Sequence, residues 1–173
     1  MTKPHQNSRP SFRDALREET PLQIVGVINA YAAMQAERAG FRALYISGAG
    51  VANASYGLPD LGHTTREDVL IDVRRICAAT CVPVLVDIDT GWEDPEKTVR
   101  AMIEAGAAAV HMEDQVDMKR CGHRPGKKVV STHDMCQRID AATRGRTNSD
   151  VVIMARTDAA AIEAELLTRT PSF

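Results

Sequence analysis

The sequence predicts an α/β fold made of βαβ units around a parallel sheet. Five short, β-rich apolar runs alternate with longer segments of helical period, the pattern of strands joined by crossover helices. Polar and charged residues gather directly after those runs, at the strand ends where parallel α/β folds bind ligands. Size sets a bound: 173 residues suit one domain but fall short of the roughly 250 that a complete eight-stranded (β/α) barrel usually needs.

The predicted strands are Ile24 to Ile28, Ala43 to Ser47, Val82 to Asp87, Ala109 to Glu113 and Val151 to Ala155. Each is continuously apolar rather than alternating, as expected of strands buried on both faces. Helices are predicted over Ala32 to Ala39, Arg66 to Ala79, Pro95 to Ala105 and Thr132 to Arg144. Asp94 before Pro95 reads as an N-cap followed by the first helical residue, and Gly40 and Gly106 read as helix stops. Ser11 to Glu19 is a further amphipathic segment, suited to covering the bottom or an edge of the sheet.

Hydrophobic residues at 44% and charged residues at 25% are ordinary for a globular chain, which removes disordered, collagenous and disulfide-scaffold classes. Lys and Arg number 21 against 23 Asp and Glu, a formal charge of -2, so nothing draws the chain to nucleic acid or an anionic membrane. With aromatics at 4%, base-stacking platforms are not expected either. No apolar run is long enough to span a bilayer, and the first residues lack the apolar core of a secretion signal, so a cytoplasmic location is expected. Cys77, Cys81, Cys121 and Cys136 have no metal-finger spacing and are read as free thiols, three of them packing residues.

Candidate chemistry lies at the strand ends: Asn29, Ser47-Gly48, Asp87 with Asp89, Glu113-Asp114, and Arg156 with Asp158. Oxygen ligands from Asp87, Asp89, Glu113 and Asp60 suit Mg²⁺ or Mn²⁺, against an alternative in which they cap helices or solvate loops. Whether Asp87 and Asp89 point to opposite faces or converge depends on where the strand ends. Lys119-Arg120-Cys121-Gly122-His123 sets a thiol among two cations and an imidazole, which should lower its pKa and fit it for proton exchange or nucleophilic attack; the alternative is an ordinary loop cysteine. Ser47-Gly48-Ala49-Gly50-Val51-Ala52-Asn53 fails as a dinucleotide fingerprint at Asn53, and its backbone N–H groups could instead cradle a carboxylate. His63, His133, Asp134 and Glu104 read as surface or cap residues, and Met34 and Met102 as core filler.

Five stretches in order, YISGAGVANASYGLPDLG, VDIDTGW, HMEDQ, KRCGHRPGK and MARTDA, together resemble the isocitrate lyase and phosphoenolpyruvate mutase superfamily, nearest its 2-methylisocitrate lyases. The resemblance implies a TIM-type (β/α)₈ barrel, here cut to about its first five strands. Residues 1–173 would be the N-terminal part of one barrel domain, with 162–173 departing from the family pattern. It further implies Mg²⁺ held mainly by Asp87 with Asp60, Asp89 and Glu113 ordering its waters, Cys121 as general acid, and substrate carboxylates met by Ser47, Gly48, Ala49, Gly122, His123 and Arg156.

The implied reaction is retro-aldol cleavage of the tricarboxylate 2-methylisocitrate to pyruvate and succinate. Its rivals are cleavage of isocitrate to glyoxylate and succinate, which differs by one methyl group, and phosphonate or oxaloacetate chemistry, whose proteins generally lack the cysteine loop. A noncatalytic fragment of the family is the alternative from another class. The family forms homo-oligomers through C-terminal elements that this chain is expected to lack. On this reading the chain would have negligible turnover and a tendency to aggregate through exposed strand edges.

Overall fold

The computed structural model describes residues 10–116 and 127–161. Five parallel strands, β1 (Ile24–Gly26), β2 (Ala43–Ile46), β3 (Val84–Asp87), β4 (Ala109–Glu113) and β5 (Val152–Arg156), form one sheet in the order β1-β2-β3-β4-β5. Helices α1 (Phe12–Glu18), α2 (Ala30–Arg38), α3 (Gly48–Tyr56), α4 (Arg66–Ala79), α5 (Pro95–Ala105) and α6 (Thr132–Gly145) precede the sheet or connect its strands. Consecutive strands are thus spatial neighbours throughout, with helical crossovers between parallel partners. The predicted parallel α/β sheet is present with all five strands.

The strand period divides the sheet into two cores. Leu44, Ile46, Val84, Val86, Val110 and Met112 face the helices, meeting Val69, Val73 and Ile76 of α4 and Val99 and Met102 of α5. Ala43, Leu85 and Ala109 face the other way and pack with Phe12 of α1, flanked by Leu22, Ile24, Tyr45 and Val152. The segment predicted to cover a bottom or an edge therefore seals the base of this second face with one aromatic ring. Ser11 caps α1 in a reciprocal box with Asp14, fixing where the helix begins.

Strands β2, β3 and β4 are buried almost throughout, but β1 and β5 are partly exposed, which corrects the expectation that all five are covered on both faces. They are the outer strands among the described residues, and a continuous apolar run does not distinguish an outer strand from a central one. Met102 is buried, whereas Met34 is exposed because α2 turns Ala33 and Ala36 inward instead. Of the cysteines, Cys77 is a packing residue; Cys81 and Cys136 lie on the surface.

The predicted bounds of α4 and α5 hold to the residue. Thr65 and Asp68 form a capping box on α4, Asp94 accepts from the Lys97 N–H ahead of Pro95, and Gly106 ends α5 in the left-handed region. Gly91, at φ 92°, turns the chain from β3 into α5; a Cβ there would lie 2.9 Å from Pro95 Cγ and 3.0 Å from Met112 Sδ. Gly91→Ala combines left-handed strain with overpacking and should cost about 2–5 kcal/mol. Chemical denaturation measures this, and a loss under about 1 kcal/mol would show that the turn relaxes freely.

Candidate active site

The face sealed by Phe12 becomes polar toward the carboxyl ends of the strands. Asp87 of β3 stands beside His111 of β4 in register, and Glu113 beside Arg156 of β5. One pleat row thus runs from Leu85 and Ala109 at the base to a rim of ionisable groups, because side chains two residues apart share a face.

Asp87 and Asp89 converge. A Cβ built on Gly48 would lie 3.3 Å from Asp89 Oδ1 and 3.4 Å from Asp87 Oδ2, so both carboxylates close on the first residue of α3. The Gly48 N–H donates to Asp87 Oδ2 at 3.2 Å, and the Asp89 N–H donates to Asp87 Oδ1 at 3.1 Å. Asp89 achieves this with φ 50°, the left-handed region, at a backbone cost of about 1–3 kcal/mol. Both carboxylates and that of Glu113 are buried. Asp60 is half-buried on the loop between α3 and α4.

Two residues inside the strand runs complete the floor and were not singled out from the sequence. Tyr45 stacks on His111 with ring centroids 5.4 Å apart. Its hydroxyl donates to Asp87 Oδ2 at 3.3 Å and lies 2.8 Å from His111 Nε2, which donates to it in the matching tautomer. Burial, reinforced by the Asp87 charge, pushes the Tyr45 phenol well above its ordinary pKa. The available signal was positional: Tyr45 precedes Ser47 by two residues and His111 precedes Glu113 by two, so each shares a face with a residue already marked.

Arg156 is partly exposed, its Nη1 3.8 Å from Glu113 Oε2 and its Nη2 3.5 Å from Asp158 Oδ1. Burial works against its charge, but the carboxylates of Asp158, Glu113 and Asp87 outweigh this and raise its pKa. Ser47 caps α3, accepting from the Gly50 N–H at 3.4 Å, and Ala49 sits in the same first turn. The glycine-rich stretch expected to offer backbone N–H groups to a carboxylate forms the cap and first turns of α3. Asn29 is taken up in capping α2, where it accepts from the Ala32 N–H, and is no part of this cluster. Cys121, Gly122 and His123 lie outside the described residues, as does the 162–173 segment.

The donor set fits Mg²⁺. Among the described residues no group of three or more His, Cys, Asp or Glu side chains is arranged to enclose a metal by itself. Mg²⁺ is commonly held by one or two carboxylates and retains several waters, and the converging oxygens of Asp87 and Asp89 beside a residue without a side chain supply that pair and the room around it.

Residues 12–170 match the family model described as phosphoenolpyruvate phosphomutase. The chain belongs to this family. It is 60% identical over 161 residues to the 2-methylisocitrate lyase of Shewanella oneidensis, covering 91% of this chain and 55% of that protein. The chain thus spans about half the length of the curated relatives it matches. The solved structure of 2,3-dimethylmalate lyase, a PEP mutase/isocitrate lyase superfamily member, matches with a TM-score of 0.80 and 38% identity, over 87% of this chain and 52% of that one. Phosphonopyruvate hydrolase, solved with oxalate and Mg²⁺, matches with a TM-score of 0.68 and 31% identity, over 79% and 47% respectively. Phosphoenolpyruvate phosphomutase family relatives therefore include carbon–carbon lyases. Among the described residues, no helix is long and apolar enough to cross a membrane.

Proposed function

We propose that this chain carries the metal- and substrate-binding half of a Mg²⁺-dependent carbon–carbon lyase that cleaves 2-methylisocitrate to pyruvate and succinate, on a sheet of TIM-barrel type. The observation that carries this reading is the closure of Asp87 and Asp89 on Gly48, on the same sheet face as Tyr45 and Arg156. The 2-methylisocitrate lyase of Shewanella oneidensis, 60% identical, supports the choice of substrate.

Asp87 and Asp89 would hold the ion, with Glu113 and Asp60 ordering its waters. Bound Mg²⁺ supplies Lewis-acid polarisation of the hydroxyacid oxygen. The Gly48 N–H and the Asp89 N–H fix both oxygens of Asp87, so the carboxylate keeps its bearing without a change of rotamer. Ser47 and Ala49 offer the α3 N-terminus to a substrate carboxylate, Gly48 keeps its approach clear of a side chain, and Arg156 offers a planar fork. Gly122 and His123 would add to the binding of that carboxylate.

Cleavage passes the hydroxyl proton to a general base and forms the pyruvate carbonyl as the carbon–carbon bond breaks. The electron pair goes to the succinate carbon, where Cys121 delivers a proton.

Cys121→Ser tests the proton assignment. Assayed with this chain completed by the second half of its Shewanella oneidensis relative, pyruvate release from 2-methylisocitrate should fall by about 10²–10⁴-fold, the range of general acid catalysis. The Mg²⁺-induced rise in melting temperature should persist. Unchanged turnover would remove Cys121 from the mechanism, and glyoxylate from isocitrate as the faster product would replace the substrate.

A further inference from the structure

We infer that Asp158 is a positioning residue that sets the bearing of the Arg156 guanidinium and ties it to the paired segments 114–116 and 128–130; this rests on the lyase reading above. Beyond β4 the chain pairs with a returning segment. Gln115 bridges antiparallel to Val129, the Val116 N–H donates to Lys128 O at 3.0 Å, and the Val130 N–H donates to Asp114 O at 2.8 Å. Arg138 of α6 adds a bond of 2.7 Å to Gln115 O. This ribbon stands at the same strand ends as the candidate site.

Asp158 joins the ribbon to β5. Its Oδ2 accepts from Gln115 Nε2 at 2.8 Å and its Oδ1 from Lys127 Nζ at 3.1 Å. Its own N–H donates to Asp114 Oδ1 at 3.0 Å, and the Thr157 hydroxyl donates to the other oxygen of Asp114. The Lys127 and Asp158 side chains are only 7% and 9% exposed. A buried ion pair is weak evidence for stability, because apolar residues of similar volume often do as well, so its directional effect is the informative one.

That direction points at Arg156. The guanidinium lies between Asp158 and Glu113 at 3.5 and 3.8 Å, separations at or beyond the edge of hydrogen bonding. The two carboxylates therefore orient the fork electrostatically while its donors stay available to an incoming carboxylate. At 42% exposure the Arg156 side chain is reachable, whereas Asp158 is sealed behind it.

The test uses the full chain with Asp158→Asn, Lys127→Met and Lys127→Arg, read by succinate titration calorimetry in Mg²⁺ buffer and by amide exchange at Val116 and Val130. Loss of a charged hydrogen bond should weaken succinate binding in Asp158→Asn about tenfold and speed both amides by a similar factor. Lys127→Met should speed the amides and Lys127→Arg should restore them. Ile76→Val, a one-methylene trim in the helix-facing core on the other side of the sheet, controls for stability alone and should leave succinate affinity unchanged. Unaltered exchange in Asp158→Asn overturns the coupling, and faster exchange with unaltered succinate affinity reduces Asp158 to a structural tie. Wild-type chain that binds no succinate sinks the lyase reading and this inference with it, whereas wild-type binding that Asp158→Asn leaves intact sinks this inference alone.

Discussion

Asp87→Asn is expected to abolish the response to Mg²⁺ while leaving the metal-free fold as stable as before, or more so. Asp87 accepts from the Gly48 N–H, the Asp89 N–H and the Tyr45 hydroxyl, so its carboxylate is held in place before any ion arrives. Exchanging the charged ligand for an amide should weaken Mg²⁺ about 10²- to 10³-fold, the scale of losing one partner from a buried charge pair. The sign for the metal-free chain is opposite. Asp87, Asp89 and Glu113 are buried on one sheet face, and Arg156 counters them from a partly exposed position. Removing one acidic group relieves like-charge repulsion.

Melting in chelator against melting in Mg²⁺ separates these effects, since a ligand that binds only the native state raises the midpoint as its concentration grows. Wild type should shift upward and Asp87→Asn should not. An equal Mg²⁺ shift in both would place the ion elsewhere. A large loss of stability in chelator would mean that the hydrogen bonds accepted by Asp87 outweigh the repulsion it creates.

Where the sequence spoke through local chemistry, it was legible. The Asp94-Pro95 pair marked the start of α5 because capping is decided within four residues. Helix α3 was not legible. Its GAGVANASY run sets three alanines against two glycines, Val, Asn and Ser, so propensity alone does not decide it, and what holds it is the Ser47 cap together with burial of Val51 and Ala52, a tertiary fact. The exposure of β1 and β5 was hidden for the same reason, since burial of a strand depends on neighbours that its own residues do not name.

The candidate site divides along the same line. Asp87, Asp89, Glu113 and Arg156 could be found because charges directly after apolar runs have few structural uses in such numbers. Their convergence could not, because it depends on the positive φ of Asp89 and on α3 arriving with a glycine at the contact point. Tyr45 and His111 read as strand residues, and only the register of β2, β3 and β4 gathers them around Asp87. Asp158 was visible as a strand-end charge, but its bonds to Gln115 and Lys127 reach residues 43 and 31 positions away in sequence, respectively.

Phe12→Ala should destabilise the chain by about 3–5 kcal/mol, a large share of the stability of a typical domain. The ring is fully buried against Ala43, Leu85 and Ala109, and the two alanines provide the space that it fills. Helix α1 has seven residues, too few to persist in water without such an anchor, so loss of the ring releases the helix as well as opening a cavity. Exposing Ala43, Leu85, Ala109 and the adjoining Ile24 and Val152 would then uncover the apolar base of the site-bearing face. Urea denaturation measures the loss. Ala109→Leu placed in the Phe12→Ala background should recover part of it if a cavity is the cause, giving a coupling between these packed positions that distant sites lack. Full stability in Phe12→Ala would show that α1 lies on this face without holding it together.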